Sequence, residues 1–308
     1  MAVTRTTLLG GPAAAIFDGR TFFARDGILV TPALEMGAVD SDAQGVLDAT
    51  VAAAPVTIKF VPSAPFADLV ALYPWVEGKA GTSLFGTEDA PLVLIAANGV
   101  RLTFGAVAIV GMPDLHLAAN GPVAGAVTFL ALGSRTLPVT AGNRLVTIDT
   151  AEVPVVPSGT SQLTDDYSIT WGEAPWTGLR ARDGVRVHFE MKTRPVVSDA
   201  NALLDLTLER LGVEVRFTPA TPGGPDEADL VEALRLQGAL PGRSLAATAR
   251  TLEIAGEHLF LRLPLAQMVG GEMAFDVKHG RLNELTLVAE RAFMGTAEPL
   301  LSLTEGAP

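Results

Sequence analysis

The sequence predicts a mainly β protein, built as two tandem copies of one antiparallel β-sandwich or barrel-like domain, each copy with one short helix. Three observations predict it. The stretch ARDGILV at residues 24–30 returns as ARDGVRV at 181–187, and a shift of 157 positions gives 15 identities over the 39 ungapped positions 24–62 against 181–219. The match then continues in order: ADLVAL at 67–72 meets ADLVEAL at 228–234 at a shift of 161, and VTFLA at 127–131 meets LTLVA at 285–289 at 158. Finally, apolar and polar residues alternate through Val56-Thr57-Ile58-Lys59-Phe60, the period of a half-buried strand. Self-similarity at so long a period marks duplicated domains of ~130 residues rather than a solenoid. The expected boundaries are 1–134 for the first copy, 135–165 for an extended linker and 166–308 for the second copy.

Within the first copy, Thr21 to Leu34 reads as strand, turn, strand, with Asp26-Gly27 as the hairpin turn because Gly27 can take the positive φ such a turn needs. Residues 37–45, GAVDSDAQG, read as a polar loop. The loops 37–48 and 194–205 are the expected sites of contact between subunits or stacked rings. The strand ending at Val61 stops at Pro62 and Pro65. A short helix then covers Phe66–Tyr73, with Phe66, Leu69, Val70 and Tyr73 on one stripe, and Pro74 stops it. Residues 90–112 are the most apolar stretch, but Arg101 and two glycines interrupt it. It reads as two buried strands about an Asn98-Gly99 turn, with no membrane span. LHLAA and AVTFLALG follow as strands.

The second copy repeats the order, with a helix over Ala228–Leu236 and then TLEIA, HLFLRLPLAQM, MAFDV and LTLVAE. The connector 135–165, rich in Pro, Thr and Val, is expected to lie extended along a neighbour as an added strand. The tail LLSLTEGAP is expected to be ordered where a partner holds it.

The 308 residues are 48% hydrophobic and 18% charged, and the mean hydropathy is +0.35, which suits a large core or extensive subunit interfaces. A net charge of −12 opposes binding to nucleic acid through phosphates. The absence of cysteine removes disulfides, thiol chemistry and Cys-ligated zinc. No signal peptide is expected, since the apolar run near the N-terminus is short and broken by Gly and Pro.

His116, His188, His258 and His279 are scattered and lack metal-helix spacing. Asp40, Asp42 and Asp48, and Glu88-Asp89, lack the spacing of a calcium loop. Asp42 and Asp48 recur as Asp199 and Asp205, which favours a structural role over a single active site. Gly10-Gly11 and Gly223-Gly224 lack the context of a phosphate loop. Trp75, Trp171 and Trp176 are too dispersed for a stacking platform. No catalytic, cofactor or metal residue is assigned, and no enzyme activity is expected.

The stretch VTIKFVPSAPFADLVALYPW at 56–75, the Ser83-Leu84-Phe85-Gly86 segment, and VEVRFTP with ADLVEAL in the second copy resemble the tail tube proteins of long-tailed bacteriophages. The resemblance spans both copies. It implies a virion protein of stacked rings, assembled in the host cytoplasm, that conducts DNA on ejection. Most such proteins form hexameric rings from one domain, so a duplicated chain would form trimers with pseudo-sixfold symmetry. The implied partners are other copies of the chain, a tape-measure protein and tail terminator or distal tail proteins; DNA would pass without specific binding. A terminator or ring adaptor falls in the same class. Tandem binding domains of a distal-tail or adhesin type form a second class, against which the 6% aromatic content weighs. An enzyme on a duplicated β scaffold is a third, and it lacks a convergent polar constellation.

Overall fold

The computed structural model describes residues 13–33, 35–41, 45–63, 68–69, 71–78, 81–85, 91–118, 121–132, 145–155, 166–198, 202–220, 224–234, 248–257, 259–275, 280–290 and 300–305. The chain is mainly β, in antiparallel sheets, with two short helices among the described residues.

In the first half, Ala14–Phe17 (β1) and Arg20–Pro32 (β2) meet at Asp18-Gly19, whose φ values of 50° and 74° suit a two-residue hairpin. Glu35–Ser41 (β3) and Gly45–Ala53 (β4) form a second hairpin, and Val56–Ser63 (β5) returns beside β2. The helix Leu72–Glu77 (α1) follows. Then come Leu92–Ile95 (β6), Val100–Phe104 (β7), Val107–Gly111 (β8), Leu115–Ala118 (β9), Gly121–Ala124 (β10), Val127–Ala131 (β11) and Val146–Thr150 (β12). The sheet runs β12-β7-β6-β1-β2-β5-β11-β8. Only Gly105 and Ala106 separate β7 from β8, so one bent segment serves both sides of the sheet.

In the second half, Ser168–Trp171 (β13), Leu179–Ser198 (β14) and Ala202–Pro219 (β15) precede the helix Glu227–Ala233 (α2). The Asp226 side chain caps α2, accepting from the amides of Ala228 and Asp229, while Asp229 accepts from the Asp226 amide. Arg250–Ala255 (β16), Leu259–Phe275 (β17), Gly280–Glu290 (β18) and Ser302–Glu305 (β19) complete the chain. The order β14-β13-β16-β17-β18-β15 closes through β14–β15 pairing into a six-stranded barrel, in which β13 covers the edge of β14 only at Leu179 and Arg180 and leaves the rest of it to other strands.

The two halves share their strand register. Ile28↔Phe60, Val30↔Ile58 and Pro32↔Val56 in β2–β5 become Val185↔Phe217, Val187↔Val215 and Phe189↔Val213 in β14–β15, a shift of 157 at both partners. The β3–β4 pairs Met36↔Val51 and Val39↔Asp48 become Thr193↔Leu208 and Val196↔Asp205 at the same shift. Irregularities match too: the breaks after Ala24, Glu35 and Val39 recur after Ala181, Lys192 and Val196. Further along, Ile109↔Phe129 corresponds to Met268↔Leu287, each beside a bulge. One residue of slippage would turn every inward side chain outward, so agreement in both register and bulges reflects one packing scheme used twice.

The cores follow from it. Phe17, Phe60 and Phe129 cluster in the first half, with Phe129 edge-on to Phe17 at 5.0 Å and stacked on Phe60 at 5.9 Å. Trp171, Phe217 and Leu287 hold the matching positions in the second half, all buried. The buried side chains of both halves form one continuous cluster.

Five expectations are corrected. Asp26-Gly27 is not a hairpin turn: it lies inside β2, where the three residues between Ala24 and Ile28 oppose the single residue Val61 between Pro62 and Phe60. A positive-φ glycine serves a bulge as readily as a turn, and the true turn is Asp18-Gly19. The stretches 37–48 and 194–205 are not loops but the β3–β4 hairpin and the long β14–β15 extension, because their small and β-branched residues pair across the ladder; only 42–44 and 199–201 there lie outside the described residues. Pro74 does not stop the helix: it sits in the first turn of α1, where its missing N–H costs no bond. The described part of the connector adds a strand to its own half, β12 pairing with β7. The C-terminal segment is held by its own chain, β19 pairing with β17. Residues 66–67, 70 and 235–236 of the expected helices lie outside the described residues; α2 itself covers Glu227–Ala233. The Asn98-Gly99 turn is present, with the Asn98 carboxamide oxygen accepting from the Val100 amide.

Candidate assembly interface

Hairpin β9–β10 leaves the first half and extends the sheet of the second. β9 pairs with β14 through Leu115↔Val187, His116↔Arg186 and Leu117↔Val185. The period of two places Leu115, Leu117, Val185 and Val187 on one face, each no more than 2% exposed, while Arg186 faces solvent.

Gly184 permits this approach. It has φ +85°, and an ideal Cβ there would lie 2.5 Å from the Leu117 carbonyl oxygen and 3.0 Å from Ala118 Cα. The neighbouring Asp183 carbonyl accepts from His116 Nε2 at 3.0 Å, which places the proton on Nε2. Beside it, His188 Nδ1 lies 2.7 Å from Asp114 Oδ1. Both side chains are more than half exposed, so this pair adds little stability. Asp114, His116, Arg186, His188, Glu214 and Arg216 line a shallow groove over the junction. A hydrogen bond from Arg216 to Glu214 at 2.5 Å raises the pKa of the guanidinium above its ordinary value.

Two further contacts join the halves. Tyr73 of α1 packs on Phe189 of β14 with ring centroids 4.5 Å apart and donates to the Pro113 carbonyl at 3.0 Å. Burial, with the charge of Asp114 as the lesser cause, pushes the Tyr73 phenol well above its usual 10.0. Residues 81–84 run along β15: Gly81 and Leu84 amides donate to the carbonyls of Leu208 and Leu206, each at 2.8 Å. Ser83 Oγ donates to Asp205 Oδ1 at 2.8 Å, and Asp205 also accepts from the Leu206 amide.

Of the residues singled out in the sequence, His116, His188 and Asp205 come to this junction. Asp40 and Asp48 lie in β3 and β4, and Trp75 in α1. Trp171 and Trp176 are buried edge to face at 5.6 Å, and the Trp171 indole donates to the Ala266 carbonyl. Gly10, Gly11, Asp42, Gly86, Glu88, Asp89, Asp199, Gly223, His258 and His279 lie outside the described residues. Among the described residues no group of three or more His, Asp or Glu side chains could hold a metal ion, and no helix is long and apolar enough to cross a membrane. The junction residues Leu117, Gly184 and Arg186 carried no signal of this contact in the sequence beyond the repeated ARDG. No protein-family model matches the chain, and no curated protein matches it in sequence.

Proposed function

We propose that the chain is the structural subunit of a tube of stacked rings, of the kind that forms the tail of a long-tailed bacteriophage and conducts DNA during ejection. The observation that carries this reading is the head-to-tail contact of two like units: the hairpin of one half extends the sheet of the next. A heterologous contact between like units repeats until rotation closes it, and closure gives a ring. Two units per chain make the ring a trimer with pseudo-sixfold symmetry, the equivalent bulges Asp26-Gly27 and Asp183-Gly184 standing about 60° apart.

The net charge of −12 suits the task, because an acidic wall offers DNA few cationic contacts and lets it slide. Several carboxylates then face the lumen. The partners are other copies of the chain, a tape-measure protein, and terminator or distal tail proteins, all in the virion, and the role is not enzymatic. The most exposed large hydrophobic side chains among the described residues are the aliphatic Leu29, Ile148 and Val155, which fits subunit contact better than an aromatic sugar-binding strip.

Negative-stain microscopy of the purified protein tests the reading. Rings or tubes with a wide central channel support it; a dispersed monomer at high concentration, with no ring, removes it.

A further inference from the structure

Both partners of the internal junction are duplicated, and among the described residues one copy of each is used within the chain. The donor hairpin β9–β10 has its counterpart in the end of β17 and the start of β18: Leu115↔Ala124 corresponds to Met273↔Leu282, and Leu117↔Pro122 to Phe275↔Gly280, at a shift of 158. The receiving edge, Val185–Val187 of β14, has its counterpart in Ile28–Val30 of β2. Among the described residues, 273–275 pair only with β18 and 28–30 only with β5.

We infer that a second copy of this chain completes both. The β17–β18 hairpin of one chain adds to β2 of the next in the register Phe275↔Ile28, Ala274↔Leu29 and Met273↔Val30, the transposed register of β9 on β14. The inference rests on the reading of the chain as a ring-forming subunit and names the surface that closes the ring.

Two local observations mark β2 as the receiving edge. Gly27 holds φ +88° against +85° at Gly184, yet among the described residues nothing lies within 4 Å of a Cβ built on Gly27, where Gly184 is pressed against Leu117. A left-handed glycine without a close neighbour has the backbone shape of the seat and lacks its occupant. Ile28 and Val30, at the positions of the fully buried Val185 and Val187, are only partly buried, so the apolar face that Leu115 and Leu117 cover in the second half lacks its cover here.

The chemistry of the two junctions differs. Asp114, His116, Arg186, His188, Glu214 and Arg216 become Glu272, Ala274, Leu29, Thr31, Thr57 and Lys59, so the joint between chains is less charged than the joint within one. In sequence alone, Ser83 and Asp205 recur as Ser244 and Asp48; residue 244 lies outside the described residues.

The chain has no cysteine, so paired cysteines report the register cleanly. Side chains directly opposite on antiparallel strands have Cβ atoms about 5 Å apart, within reach of a short bis-maleimide. Leu29→Cys/Ala274→Cys should give cross-linked species of two and three chains on denaturing gels. His116→Cys/Arg186→Cys should link within a chain and keep the monomer mass, and the displaced pair Leu29→Cys/Thr304→Cys should give no ladder. Oligomers seen by light scattering without a Leu29–Ala274 cross-link would overturn the pairing and leave the ring reading standing. A ladder that climbs without a closed species would uphold the pairing and remove the ring. A monomer with no ladder would sink both.

Discussion

Gly184 lies so close beneath the Leu117 carbonyl that a Cβ on it would stand 2.5 Å from that oxygen, while its equivalent, Gly27, has nothing within 4 Å among the described residues. The same backbone kink is loaded in one half and unloaded in the other.

Gly27→Ala and Gly184→Ala therefore separate strain from contact. Both place a side chain at positive φ, a cost of about 1–2 kcal/mol. Gly184→Ala also forces β9 away, adding about 1–3 kcal/mol of overpacking. Chemical denaturation of the dissociated chain should show the larger loss for Gly184→Ala, and equal losses would mean that the β9–β14 contact is absent.

Phe129 touches both Phe17 and Phe60 and is fully buried. Phe129→Ala should cost about 3–5 kcal/mol, and Phe129→Leu, which places in the first half the residue found at Leu287, should recover much of it. The shift in denaturation midpoint measures both.

Much of this was legible in the chain. The period of two from Val56 to Phe60 marked β5, and the repeat carried that strand to residues 213–219 of β15. The Asn98-Gly99 turn was legible because its chemistry is local. Asp26-Gly27 was misread because positive φ at glycine serves hairpin and bulge alike, and only the partner strand's count of residues decides between them. Residues 37–45 looked like loop because Gly, Ala and Asp have low strand propensity; the ladder that orders them belongs to the hairpin as a whole. The docking of β9 on β14 was not legible, since it is a choice between sheet edges far apart in sequence.

Tyr73 should make the junction sensitive to alkali. Its folded-state pKa lies above the unfolded value of 10.0, so its contribution is complete below that pH and is lost as pH rises beyond it. Tyr73→Phe should remove this loss, at a cost near neutral pH of about 1 kcal/mol for the bond to Pro113. Denaturation midpoints of both proteins against pH provide the check.

Asp149 of β12 is held below its ordinary 3.8 chiefly by a hydrogen bond from Arg101 and further by that residue's charge. Its contribution is thus present above 3.8 and is lost as pH falls through the lowered value. In a carboxylate-detected NMR titration, Arg101→Gln should return Asp149 to the ordinary range.

Asp205 accepts from both Ser83 and the Leu206 amide. Asp205→Ala should cost about 1.5–3 kcal/mol, because a charge-assisted bond is lost and an amide in a part-buried site is left without its acceptor. Ser83→Ala should cost less, since the amide keeps its partner. Denaturation midpoints that rank the two variants in the other order would contradict the roles assigned to them.

The central claim, that the junction inside one chain is repeated between chains, is tested most directly by native mass spectrometry of the smallest closed assembly. The account predicts a species of three chains, each of 32.0 kDa. A protein that stays at 32.0 kDa across the accessible concentration range, or that closes with an even number of chains in a two-fold dimer, would contradict it.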